Sequence, residues 1–320
     1  MPNAKPKRTH LWILLGILAV GLILRVIWVN RVDTQPVTDF AWYLQKAVQI
    51  SQGEGYHHEG VSTAYWPVGW PAALGLFFKV VPATLACAKL LTTFLTWLAI
   101  PLTYLLGRRL FNREEPALLG AGIIAIHPHF VAYSSILASE PLFTCLTLGF
   151  FICQVEAVRK GLHCAVSGAL LGLACLVRPQ AILLPFLVRV FSWKQDGKNR
   201  SLAWISAGLC LIVCLGVLSP WLLHTRAVFG RTVFVSTNGG DNLLIGHHPG
   251  AAGRYKNPDD CGLVRPSDMK EGERDQAALR QALENIRQDP LRSFSLIPAK
   301  VAETLFTTTD AAYWAVQFYP

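Results

Sequence analysis

The run Leu11–Val29 constrains this chain more than any other stretch. It holds 19 residues with a single charge, Arg25, near its far end. A helix crossing the roughly 30 Å core of a bilayer needs about that many apolar residues. The basic segment MPNAKPKRTH precedes it and VNRVDTQP follows it. A cleaved signal peptide has a shorter apolar core followed by small residues. The run therefore reads as an uncleaved anchor, with Arg25 placed to snorkel toward the interface. The whole chain agrees. Of its 320 residues 52% are hydrophobic and only 15% charged, against about 25% charged in soluble domains.

Further apolar runs are Ala83–Leu106, Pro116–Tyr133, Pro141–Val155, Leu162–Val177, Ala181–Trp193 and Leu202–Leu223, with a weaker one at Phe294–Phe306. The fifth and sixth runs are short. They form either one hairpin that does not fully cross or two tilted spans completed by flanking residues. The pattern predicts an all-α polytopic membrane protein of about seven or eight transmembrane helices. Residues 1–223 would be the transmembrane module, with a first outer loop at 30–80. Residues 224–293 would be an extracytoplasmic segment of mixed character, and 294–320 would hold a last helix.

Orientation follows from the short links. Lys5, Lys7 and Arg8, then GRRLFNREE, then Arg159 and Lys160, then KQDGKNR fall on one side if each run crosses once. Basic short loops are retained in the cytoplasm. Residues 30–80, 134–140, 178–180 and 224–293 are then extracytoplasmic. The net charge of +9 is spread over these links rather than gathered on one soluble face, which argues against a nucleic-acid partner.

The outer segments carry the chemistry. In TDFAWYLQKAVQISQGEGY, Phe40, Tyr43, Leu44, Ala47 and Ile50 recur at helical spacing. Gln45, Lys46 and Gln49 mark the opposite face, as in a helix lying at a membrane surface. Asp39 stands at its start, where it or Thr38 can cap the helix. The segment GEGYHHEG ends it. In STAYWPVGWPAALGLFF, Pro67 and Pro71 forbid one long helix, and a second short apolar helix is expected from Pro71. Trp42, Tyr43, Tyr56, Tyr65, Trp66 and Trp70 read either as an interfacial aromatic belt or as a platform for carbohydrate or lipid headgroups. Glu140 opens the fourth run, as a first-turn acid favoured by the helix dipole or as a functional carboxylate at the membrane boundary. Arg178, at the tip of the fifth–sixth hairpin, either meets lipid or holds a substrate phosphate, for which guanidinium is suited.

Farther on, Arg231–Ser236 has strand character, and Asn238-Gly239-Gly240-Asp241-Asn242 is a turn signal without a phosphate-loop pattern. Glu273–Arg287 is helical and stops at Asp289-Pro290. Seven of the eight cysteines lie in or beside apolar runs, as packing residues, and no disulfide framework is expected. Seven of nine histidines fall on the outer side without HExxH or other ligand spacing. No transition-metal site is assigned. A divalent cation held by Asp39 together with a substrate phosphate is left open.

An acid just after the first span, a surface helix with Tyr and Ala, a GxGY turn and an aromatic/Pro stretch together resemble integral-membrane glycosyltransferases of the GT-C fold. The likeness is nearest to the bacterial branch related to protein O-mannosyltransferases and the lipid A aminoarabinose transferase. SEPLF (139–143), LVRP (176–179) and STNGGDNLLIG (236–246) look like further family segments. The resemblance implies a polyprenyl-phosphate sugar donor, a glycan, lipid or protein acceptor, and transfer at the extracytoplasmic face of a bacterial inner membrane. It implies a first-loop aspartate as general base, matched by Asp39, and an anion-binding arginine near the donor phosphate, for which Arg178 is the candidate. Glu140 is the second catalytic candidate, placed to position Asp39, the acceptor or an ion. Tyr43, Tyr65, Trp66, Asn238 and Asn242 are the further substrate-binding candidates. Two departures stand out. Relatives often carry an Arg and paired prolines where this chain has Trp66-Pro67-Val68. Larger relatives also have more spans, whereas this chain ends at YWAVQFYP, as a minimal module, a truncated product or one half of a complex. The rival reading is a non-catalytic membrane protein: a lipid-linked-sugar carrier, an assembly partner or a degenerate GT-C module.

Overall fold

The computed structural model describes residues 8–157, 161–188, 200–263, 266, 269–306 and 310–316. The expected basic residues Lys5, Lys7, Arg159 and Lys160, the link KQDGKN before Arg200, and the end of the chain at 317–320 lie outside the described residues.

Helix α1, Arg8–Arg31, carries Arg25, and Arg25 does not reach for the interface. Its side chain is fully buried. It donates to Gly21 O at 2.8 Å, Ala125 O at 3.0 Å, Ile124 O at 3.2 Å and Thr96 Oγ1 at 3.2 Å. Ile124 and Ala125 are in the last turn of α5, Glu114–Ile126, where carbonyls lack intrahelical donors and the dipole favours a cation. Snorkelling is replaced by capping a neighbouring helix. Each nitrogen of the buried guanidinium thereby has an acceptor, as a buried charge requires.

Helix α2 spans Thr38–Gln52, and a two-residue hairpin pairs β1, His57–His58, with β2, Val61–Ser62. Then come α3, Gly69–Phe78, and α4, Leu85–Phe111. The expected third run is not one helix. Pro128 lacks the amide that would continue α5, so α5 ends at Ile126 and a short α6, Pro128–Ala132, follows. Helices α7, Glu140–Ala157, and α8, Gly161–Val177, precede a 3-10 turn at Pro179–Leu183. Next are α9, Arg200–Phe229, α10, Gly239–His247, α11, Glu271–Gln288, and α12, Pro290–Ser295. The last are α13, Ile297–Phe306, and α14, Asp310–Val316.

The protein is thus helical and of membrane type. Three helices, Arg8–Arg31, Leu85–Phe111 and Trp204–Phe229, are long and apolar enough to cross a bilayer. The shorter apolar helices are Gly69–Phe78, Glu140–Val155, His163–Val177 and Pro179–Val188. The weak run Phe294–Phe306 is divided between α12 and α13, neither of which has spanning length.

The chain divides into two compact units. The first comprises Met1–Tyr56, Val68–Trp221 and Ala311–Pro320. In it α1, α4 and α5 share a core of Ile100, Tyr104, Ala117, Leu118, Ala121 and Ala125, closed by Leu14, Ile17 and Leu18. Alanines on α5 allow this close helix approach. Helix α14 packs Ala311, Ala315 and Trp314 against Trp28, Val32 and Phe40. Helices α2 and α3 meet across Gly75, where a Cβ would stand 2.9 Å from Ala47 O and from Ile50. Only a residue without a side chain permits that contact.

The second unit comprises His57–Pro67 and Leu222–Asp310. Its core joins α10 to α11 through Leu244, Ala278, Ala282 and Cys261. Two sequence expectations fail here. Arg231–Ser236 has no ladder partner and is not a strand; its backbone is irregular. The Asn238–Asn242 segment is not a free turn but the start of α10. Gly240 lies so close to Asp275 O that a Cβ would stand 2.0 Å away. The glycines serve helix-to-helix approach rather than reversal. Cys261, from the polar stretch, is buried.

Candidate active site

Helix α2 brings Asp39 to the site without using it as a cap. The N-cap position is Val37, with extended φ −130° and ψ 163° and no side-chain capping bond. Thr38 follows with φ +47°, in the left-handed region that β-branched residues rarely enter. The capping expectation for Thr38 or Asp39 is therefore not met. The Asp39 carboxyl is half-buried. Burial first, and the charge of Glu140 second, push its pKa above the ordinary carboxylate value, while its own backbone amide opposes the shift.

One turn on, Tyr43 is buried at 7% exposure. Burial and the charges of Asp39 and Glu140 raise its hydroxyl pKa, and Arg178 pulls it down. Tyr43 therefore stays protonated and can donate. Nearby, Trp42 Nε1 donates to the Tyr56 hydroxyl at 3.3 Å, and Tyr56 meets Trp221 edge-to-face at 6.0 Å. Lys46 is not on a solvated face as its spacing suggested. It is fully buried, with Nζ 4.4 Å from the Trp42 ring centroid.

Arg178 and Glu140 come from helix ends. Pro179 disfavours the helical conformation in the residue before it. Accordingly α8 stops at Val177 and Arg178 turns extended, with φ −145° and ψ 109°. Glu140 opens α7 ahead of Pro141, a residue suited to a first turn. Arg178 Nη2 lies 2.5 Å from Glu140 Oε1 and 3.2 Å from Ser139 Oγ. Its guanidinium is 5.9 Å from the Phe143 ring centroid. The Arg178 Nε–H is buried and has no partner among the described residues. The ion pair is one-third exposed, so its worth to stability is small. What it fixes is the orientation of the guanidinium, with an N–H edge left over.

The WPVGWP segment holds both helix ends. At Gly69 a Cβ would stand 2.6 Å from Leu176 C and Val177 N, so this glycine lets α3 lie against the backbone just before Arg178. Trp70 is 1% exposed, and its Nε1 donates to Leu137 O at 2.8 Å, just before Ser139-Glu140. Trp70 thus belongs neither to a belt nor to a carbohydrate platform. We expect Trp70→Phe to leave the Leu137 carbonyl unpaired and cost about 1–3 kcal/mol. Thermal unfolding of the purified protein in detergent checks this, with a lowered midpoint as the expected outcome.

The structure therefore brings Asp39, Glu140, Arg178 and Tyr43 together in the first unit. Ser139 and Gly69 were missed as site-building residues, and Tyr56 and Trp70 were read only as part of an aromatic belt or platform. Ser139 had one available signal, its place beside Glu140 in SEPLF. Tyr65, Trp66, Asn238 and Asn242 belong to the second unit. There the Tyr65 hydroxyl donates to Asp241 Oδ2 at 3.1 Å, and its ring meets Trp66 edge-to-face at 5.3 Å. Ser236 Oγ donates to Asn238 Oδ1 at 2.8 Å, and the Asn242 side chain is exposed. Glu271 accepts from Ala64 N at 2.8 Å, Thr63 Oγ1 at 2.6 Å and Thr237 Oγ1 at 2.5 Å. These bonds tie the 63–65 segment, the start of α10 and α11 into one unit. Among the described residues no three His, Cys, Asp or Glu side chains gather as metal ligands.

No curated protein matches the chain. Over residues 66–224, just under half its length, the chain is similar to the family described as dolichyl-phosphate-mannose-protein mannosyltransferase, and this likeness supports a membrane glycosyltransferase of the GT-C type.

Proposed function

We propose that the protein transfers a sugar from a polyprenyl-phosphate donor to a hydroxyl acceptor, at the extracytoplasmic face of a bacterial inner membrane and with inversion. The observation that carries this reading is the gathering of Asp39, Glu140, Arg178 and Tyr43 at helix ends of one unit. The likeness over residues 66–224 supports it, since that stretch contains Glu140 and Arg178.

The acceptor oxygen attacks the anomeric carbon as its bond to the phosphate oxygen breaks. The bonding pair leaves with the polyprenyl phosphate, which departs already charged, so no strong acid is needed. Asp39 takes the acceptor proton as general base. The unpartnered Nε–H edge of Arg178 is the donor assigned to the departing phosphate. Glu140 accepts from the neighbouring Nη2 of that guanidinium and fixes its orientation, and Tyr43 offers a hydroxyl proton to a sugar or phosphate oxygen. An inverting transfer of this kind uses one base rather than a carboxylate pair.

This assignment predicts a particular pH dependence. Asp39 works ionised, and its pKa is raised by burial and by Glu140. Activity should therefore fall as pH drops through a value above that of an ordinary aspartate. Removing the neighbouring charge with Glu140→Gln should move that acid limb to lower pH. The pH profile of transfer in membranes supplied with a polyprenyl-phosphate sugar tests it. A limb that stays in place, or moves upward, would count against Asp39 as the base.

A further inference from the structure

In the second unit, α12 and α13 carry an amphipathic face turned the wrong way for water. Only Leu296 separates the two helices. On one side Leu291, Phe294, Ile297 and Val301 recur at spacings of three and four. They are 80%, 69%, 50% and 48% exposed, and Pro298 is exposed among them. The polar residues lie on the other side, bonded to the unit's own chain. Arg292 Nη2 donates to Ala251 O at 3.2 Å. His247 has Ser293 Oγ 3.1 Å from Nδ1 and Lys300 Nζ 3.4 Å from Nε2. Glu303 Oε2 accepts from Arg254 Nε at 3.3 Å. Gly253, at φ +86°, brings that loop close, since a Cβ there would stand 3.1 Å from Ala299 Cβ.

A helix on a wetted surface points its apolar stripe at the core and its charges outward. Here the order is reversed, so the medium outside this face is apolar. Two observations select a bilayer as that medium. Leu222–Phe229, the last residues of the bilayer-length helix α9, belong to this unit, so its chain begins where a span ends. Beside α13 runs Arg254-Tyr255-Lys256, all three exposed, with Arg254 tied to α13 through Glu303. Tyrosine and basic side chains flanking an apolar face suit the headgroup layer, and Lys and Arg there attract anionic lipid.

We infer that α12 and α13 lie in the interfacial layer of the bilayer, with Leu291, Phe294, Ile297 and Val301 among the acyl chains and Arg254 and Lys256 against anionic headgroups. Bonded along one side to residues 247–254, the pair lies flat on the membrane, where the sequence suggested a last span. The second unit then has a membrane contact besides α9. The inference stands on the membrane character of the chain and not on the transferase reading.

Photo-crosslinking on the full chain, in vesicles of mixed phosphatidylcholine and phosphatidylglycerol, tests it. Benzoylphenylalanine is placed at Phe294, Ile297 or Val301, and at Gln281 on α11 as an exposed polar control. Lipid adducts at the first three positions should exceed those at Gln281 about tenfold, as for acyl-chain contact against water contact. Phosphatidylglycerol should be over-represented among them, and Arg254→Gln with Lys256→Gln should remove the excess. All these side chains are outside the core, so unfolding temperatures should stay near wild type. Lipid adducts no more frequent than at Gln281 would overturn the inference. So would adducts to a second copy of the chain or to another protein in place of lipid, or adducts without any excess of phosphatidylglycerol.

Discussion

Replacing Asp39 with Asn should lower sugar transfer by about 10²–10⁴-fold, the range a positioned general base contributes. Stability should not fall with it. The Asp39 pKa is raised in the fold. Between its unfolded and folded values the native state therefore binds more protons, and stability declines as pH rises through that window. At neutral pH the ionised carboxylate is a net cost, which asparagine removes. No capping bond is lost either, because α2 takes Val37 as N-cap without a side-chain bond. Transfer activity in membranes and unfolding temperature in detergent, measured on one preparation, separate a base from a structural residue. Lost activity with an unchanged or raised midpoint is the expected pair. A lowered midpoint would mark Asp39 as a folding residue.

Arg178→Ala should cost about 10²–10³-fold in kcat, the typical loss when one donor to developing charge is removed. Arg178→Lys should recover little. An ammonium can pair with Glu140, but it cannot place a second N–H edge on a phosphate while doing so. The alanine variant has a second signature. It strips the cation 2.5 Å from Glu140, so the charge acting on Asp39 is no longer offset. The acid limb of the pH profile should then move to higher pH, opposite to the shift expected for Glu140→Gln. Opposed shifts from the two halves of one ion pair are hard to obtain unless both act on the same titrating base. An unchanged kcat in Arg178→Ala would remove Arg178 from the phosphate.

Much of this was legible in sequence, and the failures share a cause. The periodicity of Phe40, Tyr43, Leu44, Ala47 and Ile50 marked α2 correctly, because that helix does bury one face. Glu140 and Arg178 were visible because each stands beside a proline that ends or starts a helix. Periodicity cannot see a third neighbour. It placed Lys46 on a wet face, although the Trp42 ring and burial enclose it. It sent Arg25 to the interface, although the open carbonyls of α5 lie within reach. The glycines of STNGGDN carry the same residue signal whether they reverse the chain or admit another helix. Only the approach of Asp275 distinguishes the two. Trp70 looked interfacial because tryptophan usually is, and its role depends on a carbonyl 67 residues away.

The central claim, sugar transfer from a polyprenyl phosphate by a base at position 39, is tested most directly by mass analysis of surface glycans. Cells lacking the protein would be compared with cells carrying it in wild-type or Asp39→Asn form. The account predicts that deletion and Asp39→Asn both remove the same single-sugar mass increment and leave polyprenyl-phosphate sugar to accumulate, while wild type restores both. Glycans unchanged by deletion, or fully restored by Asp39→Asn, would contradict it.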